Sequence, residues 1–229
     1  MNYHIDTGLI YEKFKENRVC PFCAIEKIIT EQTVYEFLND AVMEDDTHIL
    51  VEKKGFCAKH FGMMLARPNK LSASIQIGSN LNTLDKIIDG KAPFVTAKKK
   101  AEKIEKALTD CVICDAVADS MQKYYKTTAQ MFLHEKEFYK LLLSCNGFCL
   151  KHYAELLRYS SCAGIGAKDY VSLLDGCEQR ALNAVRDNLT AFNRSHDYRN
   201  AYTPLGKAEH ALDDAQRFVY GNPADHPTK

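Results

Sequence analysis

Residues 111–131, CVICDAVADSMQKYYKTTAQM, decide the fold. Val117, Met121, Tyr124, Thr128 and Met131 recur at intervals of three and four, which is the spacing of one face of an α-helix and not the alternation of a strand. A two-cysteine turn opens this helix. The same opening stands earlier at Cys20-Pro21-Phe22-Cys23, followed by Ile25, Ile28, Ile29, Phe37 and Leu38 as a less regular apolar face.

Each opening has a distant companion. Cys23 is separated by 33 residues from the Cys57 of Gly55-Phe56-Cys57-Ala58-Lys59-His60, and Cys114 by 34 from the Cys149 of Gly147-Phe148-Cys149-Leu150-Lys151-His152. Gly, Phe, Cys, Lys and His agree in register, and Leu65 and Leu157 fall at the same offset beyond. The copies lie 91 residues apart at the first cysteine and 92 at the third. This is internal duplication. It divides the chain into a first helical repeat, 1–95, and a second, 96–229, that carries a C-terminal helix.

Helical spacing extends through the remainder. Leu71, Ile75, Gly78, Leu81, Leu84 and Ile88 form one stripe. Tyr170, Leu174, Cys177, Ala181, Val185, Leu189 and Phe192 form its counterpart, on a helix of about 25 residues. Short helices are expected after each GFCxKH segment, where Met63, Met64 and Leu65 match Glu155, Leu156 and Leu157. Pro93 marks the junction, and Pro204 a break before a last helix over 206–220. Thr47-His48-Ile49-Leu50-Val51 is the one β-like run, readable also as an extended connection. The expected class is all-α, with two tandem repeats packed about a pseudo-twofold axis.

CxxC with a distant CxxH supplies three thiolates and one imidazole, a set that suits tetrahedral Zn²⁺ because this ion is borderline-soft and imposes no geometry of its own. The candidate ligands are Cys20, Cys23, Cys57, His60, Cys111, Cys114, Cys149 and His152. The i,i+3 spacing of Cys57/His60 and Cys149/His152 puts both side chains on one helical face. Gly55 and Gly147 let the backbone turn sharply before it. About two zinc ions are expected, with an iron–sulfur cluster as the alternative. Three pairings are open: each repeat closing its own site, the CxxC of one joining the CxxH of the other, or one shared binuclear centre.

On these motifs, and on the late segment Asp197-Tyr198-Arg199-Asn200 leading to Pro204-Leu205-Gly206, the chain resembles a bacterial domain family of unknown function with duplicated CxxC and GFCxxH motifs. The resemblance covers almost the whole chain. It implies a cytoplasmic bacterial metal-binding protein without an assigned reaction, and it brings no catalytic residues.

The other polar groups carry less. Cys177 lies on an apolar stripe and reads as core, while Cys145, four residues before Cys149, is a candidate reactive thiol. His134 and Glu137 run opposite to the Glu-x-x-His order of carboxylate di-metal helices and read as surface charge. His4, His48, His196, His210 and His226 read as isolated and exposed. Tyr198 and Arg199 read as docking groups for the final helix.

Composition narrows the function. Thirty basic residues balance thirty acidic ones, and the balance holds locally, 16 against 16 over residues 1–110 and 14 against 14 beyond. That argues against nucleic acid, whose binders neutralise phosphates with a basic excess. The cluster Lys98, Lys99, Lys100, Lys103 and Lys106, interleaved with Glu102 and Glu105, reads as a solvated helix face. The first residues lack a signal-peptide pattern and no apolar run is long enough for a membrane span, so the expected compartment is the cytoplasm, where nine cysteines point to metal or redox chemistry before disulfides. The expected function is a non-enzymatic binding or scaffold module with structural zinc sites and an unidentified protein or small-molecule partner. The alternative is an iron–sulfur or thiol-based redox enzyme or sensor. Regulation of transcription is weaker, for want of basic charge and of a groove-reading helix.

Overall fold

The computed structural model describes residues 5, 7–16, 20–89, 96–196 and 206–221. Among these every regular element is helical: α1 (Gly8–Lys15), α2 (Pro21–Leu38), α3 (Asp45–Lys54), α4 (Ala58–Ala66), α5 (Lys70–Asp89), α6 (Ala97–Thr109), α7 (Val112–His134), α8 (Lys136–Leu143), α9 (Leu150–Arg158), α10 (Ala167–Ser195) and α11 (Ala211–Tyr220). Short 3-10 turns stand at Ala41–Met43, Ser160–Gly166 and Gly206–His210. Pro93, Pro204, His4, His226 and the Asp197–Asn200 segment lie outside the described residues. No helix of the described residues is long and apolar enough to cross a membrane.

The chain forms two compact units. The first takes its residues from Met1–Lys27 and Met121–His226, the second from Ile28–Ser120. Each unit therefore draws on residues from both sides of the expected boundary at 95/96, and α2 and α7 each contribute to both units.

The first unit is organised by aromatic rings that flank the cysteine motifs. Phe22, between Cys20 and Cys23, is fully buried, as are Phe138 and Phe148. Phe14 of α1 meets Phe22 edge-on at 5.9 Å and Phe138 at 5.1 Å, while Phe22 packs on Tyr125 of α7 at 5.1 Å. Tyr125 in turn stacks on Tyr159 at 5.9 Å and 10°. Each fully buried ring contributes on the order of 2–3 kcal/mol. Two of these core rings, Phe22 and Phe148, stand one position away from a candidate ligand. Tyr170, Leu174 and Cys177 bury the first half of α10 as the stripe predicts, and the helix runs to 29 residues.

In the second unit, α3 corrects the β-like reading of Thr47–Val51. Asp45 and Asp46 in its first turn and Lys53 and Lys54 in its last complement the helix dipole, and Gly55 ends it at φ +68°. Only Thr47 and Val51 of this helix are buried, a helical spacing that the run of β-branched residues conceals. The α5 stripe is also corrected. Leu71, Ile75, Leu81 and Ile88 are exposed, Leu71 by 76%, and the buried side is Ala73 and Gln76. Two polar contacts join α5 to its neighbours: Gln76 Nε2 donates to the Phe37 carbonyl at 3.1 Å, and His48 Nδ1 lies 3.0 Å from Ser79 Oγ. His48 is therefore half-buried and bonded, not isolated. The lysine-rich helix α6 buries no residue, as a solvated face should.

Gly55 and Gly147 both hold positive φ, +68° and +95°. A Cβ on Gly147 would stand 2.5 Å from Ala181 Cβ of α10, closer than any van der Waals contact permits. Gly147→Ala adds left-handed strain to that clash and is expected to cost about 2–4 kcal/mol, read as a lower urea midpoint with unchanged m-value.

Candidate metal centres

The eight candidate ligands gather into two groups, and each group joins the CxxC of one motif set to the CxxH of the other. Cys20 and Cys23 meet Cys149 and His152 in the first unit, and Cys111 and Cys114 meet Cys57 and His60 in the second. Within each group the four donor atoms lie within 4.8 Å of one another. The pairing left open by sequence is the exchanged one.

Local structure explains how each pair is presented. Cys20 and Cys111 directly precede α2 and α7, and Cys23 and Cys114 sit in the first turns. Cys57 and Cys149 are the N-cap residues of α4 and α9, with extended backbone, and their carbonyls accept the first helical bonds from Phe61 and Tyr153, both at 2.9 Å. His60 and His152 follow one turn in, buried, with Nδ1 turned towards the sulfurs.

The distances define the shape. His152 Nδ1 lies 3.4, 3.6 and 3.1 Å from the sulfurs of Cys20, Cys23 and Cys149, and Cys23 Sγ lies 3.7 Å from Cys149 Sγ. His60 Nδ1 lies 3.4, 3.3 and 3.3 Å from the sulfurs of Cys57, Cys111 and Cys114, and Cys57 Sγ lies 3.8 Å from Cys114 Sγ. With a Zn–S bond of about 2.3 Å and a Zn–N bond of about 2.0 Å, a tetrahedron has S···S edges of about 3.8 Å and S···N edges of about 3.5 Å. Both groups have the dimensions of a cage for a single ion.

The electrostatics favour a cation as well. Hydrogen bonds from neighbouring thiols hold Cys149 and Cys111 below the usual thiol range, Cys111 at about 3. Burial pushes Cys20 up, and the bond to Cys111, with burial, does the same to Cys114. One thiolate in each group is thus favoured while charge on a second sulfur, Cys20 or Cys114, is penalised. A dication among the sulfurs removes that conflict.

The groups differ in their surroundings. His152 Nε2 lies 3.1 Å from the carboxylate of Glu26, which also accepts from Lys151 Nζ at 2.6 and 2.8 Å. Although burial opposes it, these partners hold Glu26 down at about 2. Burial likewise opposes the charged form of His152, yet its bonds to Cys149, Cys23 and Glu26 push it up. A carboxylate on the far nitrogen of a ligand histidine fixes its tautomer and orients the ring. Sequence reasoning missed Glu26, although its position three residues after Cys23, on the face of the turn that holds the cysteine, was the available signal. The same offset from Cys114 gives Val117, and the buried Nε2 of His60 has no hydrogen-bond partner among the described residues.

A second difference comes from proline. The Val112 amide donates to the Gly55 carbonyl at 3.0 Å, which clasps the CxxC turn to the GFC turn. In the other group the matching residue is Pro21, which has no N–H. There the Gly147 carbonyl accepts from Cys145 Sγ at 3.5 Å. Cys145 lies outside both metal groups, and burial pushes its thiol up to about 12, which favours the protonated form near neutral pH. Cys177, donating to the Leu142 carbonyl at 3.3 Å, is buried core as expected. His134 is exposed, and beside it Glu135, half-buried, accepts from Tyr11 Oη at 2.6 Å. His196 and His210 are exposed.

The chain belongs to a family of unknown function, DUF6062, whose family model matches residues 1–226. No curated protein and no solved structure matches it.

Glu178 of α10 ties the GFC turn of the first unit to that helix, accepting from the Phe148 amide at 3.0 Å through Oε2. Burial raises its carboxyl from 4.5 to about 7. Between those values the folded chain keeps a proton that the unfolded chain has released, so this group's contribution to stability falls as pH rises from 4.5 to about 7. Glu178→Gln is expected to match the parent at pH near 5 and to exceed it by roughly 1–3 kcal/mol at pH near 8, measured by urea unfolding at both values.

Proposed function

We propose that the protein is a helical zinc-binding module in which two mononuclear Cys₃His sites fasten distant parts of the chain. The observation that carries this reading is the pair of donor cages whose edges match tetrahedral zinc. Cys20, Cys23, Cys149 and His152 would hold one ion, and Cys57, His60, Cys111 and Cys114 the other. Four protein donors leave no open position for substrate, which is the mark of a structural site. Bound zinc supplies the positive charge that three thiolates require, and in a structural site it can contribute on the order of 10 kcal/mol to folding.

The role proposed is a binding or scaffold module in the cytoplasm, without catalysis of its own. The exchange of ligand pairs supports a reading of the two repeats, 1–95 and 96–229, as duplicated halves that complete each other's sites. Either repeat alone would hold two half-sites and no complete one. The thiol-redox alternative is disfavoured by the buried, protonated Cys145 and by the single-ion dimensions of both groups.

Elemental analysis of protein purified without oxygen is expected to give about two zinc per chain and no visible absorption. Iron with sulfide and a broad band near roughly 400 nm would replace this reading with a cluster. Cys20→Ser is expected to remove about one zinc and lower the Tm. Adding Cys149→Ser should remove no more, whereas adding Cys57→Ser should remove the second. The reverse pattern would mean that each repeat closes its own site.

A further inference from the structure

We infer that the two sites have different duties: the ion of Cys20, Cys23, Cys149 and His152 is retained, and the ion of Cys57, His60, Cys111 and Cys114 is exchangeable, giving the protein a site that yields and takes up zinc. This rests on the zinc reading above and goes beyond it in assigning exchange to one site.

Two independent observations separate the sites. The first is access. All four donors of the first group are buried, with Cys149 and His152 fully so. In the second group Cys114 is exposed and Cys57 half-exposed. Ligand exchange at zinc proceeds by an incoming donor displacing a resident one, and an exposed thiolate is where that can begin. The rings of Phe22 and Tyr125 stand 5.9 and 6.2 Å from the His152 ring and help wall off the first site.

The second is the imidazole. Glu26 anchors His152 through its far nitrogen, and Lys151 anchors Glu26. His60 is 96% buried, yet its Nε2 has no hydrogen-bond partner among the described residues. Loss of such an outer partner typically costs about 10–100-fold in metal affinity. The second site is therefore built with the weaker histidine and the more accessible thiolates together. Val117, at the register position of Glu26, is what withholds the carboxylate.

No oxidation state changes in the exchange. Zn²⁺ passes from three thiolates and an imidazole to the ligands of the acceptor, and the freed thiolates take up protons from water. Any soluble chelator of sufficient affinity can act as the acceptor in a test.

Protein loaded with two zinc per chain, confirmed by elemental analysis, is mixed with the zinc-binding dye 4-(2-pyridylazo)resorcinol. Release is expected in two phases of about one zinc each, the faster by at least tenfold. Protein stripped of one equivalent and then alkylated with iodoacetamide should carry label at Cys57, Cys111 and Cys114, with Cys20, Cys23 and Cys149 protected. Glu26→Gln should accelerate the slow phase about tenfold and leave the fast phase alone. Release of both ions in one phase, or label at Cys20, Cys23 or Cys149, overturns the inference. Failure to bind two zinc overturns the underlying reading instead, so the two failures are distinguishable. Val117→Glu, which places a carboxylate at the missing position, should slow the fast phase. The labelling pattern decides the matter even if that variant does not fold.

Discussion

Two knots of three sulfurs and one imidazole set the terms for this protein. Thiols and imidazoles packed within 4.8 Å of one another are a poor arrangement for an uncharged core, because charge on one group penalises charge on its neighbours. The surrounding structure is arranged to hold them there. α2 and α7 begin at one pair of cysteines, α4 and α9 begin at the other cysteine and carry the histidine in their first turn, and Gly55 and Gly147 take positive φ so that each GFC turn can present its thiol. Phe22 and Phe148 extend this arrangement by making the residues beside the ligands the centre of the first unit's aromatic core.

The two sites share a skeleton and differ in its finish. A proline and a valine account for much of the difference. Pro21 lacks the amide by which Val112 clasps the Gly55 carbonyl, and Cys145 supplies a substitute donor to Gly147. Val117 occupies the offset at which Glu26 grips the far nitrogen of His152. In one site the missing amide is compensated, and in the other the missing carboxylate is not. Residues outside the donor sets thus give two similar cages different surroundings.

Much of this was legible in the residues. Cysteine and histidine spacing is short-range information, and it located all eight side chains that the structure gathers, because i,i+3 neighbours at a helix start must share a face. Helix existence was equally plain from Val117, Met121 and Met131. Pairing was not legible, since gaps of 33 and 34 residues permit either closure and nothing local distinguishes them. Glu26 was hidden because its partner lies 126 residues away. α5 was misread because its apolar residues form a regular stripe while the surface facing it offers a carbonyl and a histidine, for which Gln76 and Ser79 are the better match. Thr47–Val51 was ambiguous because β-branched residues masked the charges that bracket a helix.

The exchanged pairing makes the two closures nested, like one pair of brackets inside another. The inner closure, from Cys57 to Cys114, lies wholly within the span of the outer one, from Cys20 to His152. A chain emerging from the ribosome can complete the inner site once residue 114 has appeared. The first two cysteines must wait until residue 152 has appeared. Two beads on a string could ripen independently. Here the order of synthesis makes the inner donors available first, and closing the inner site before the outer one shortens the effective loop that the outer one must span, which reduces its entropic cost.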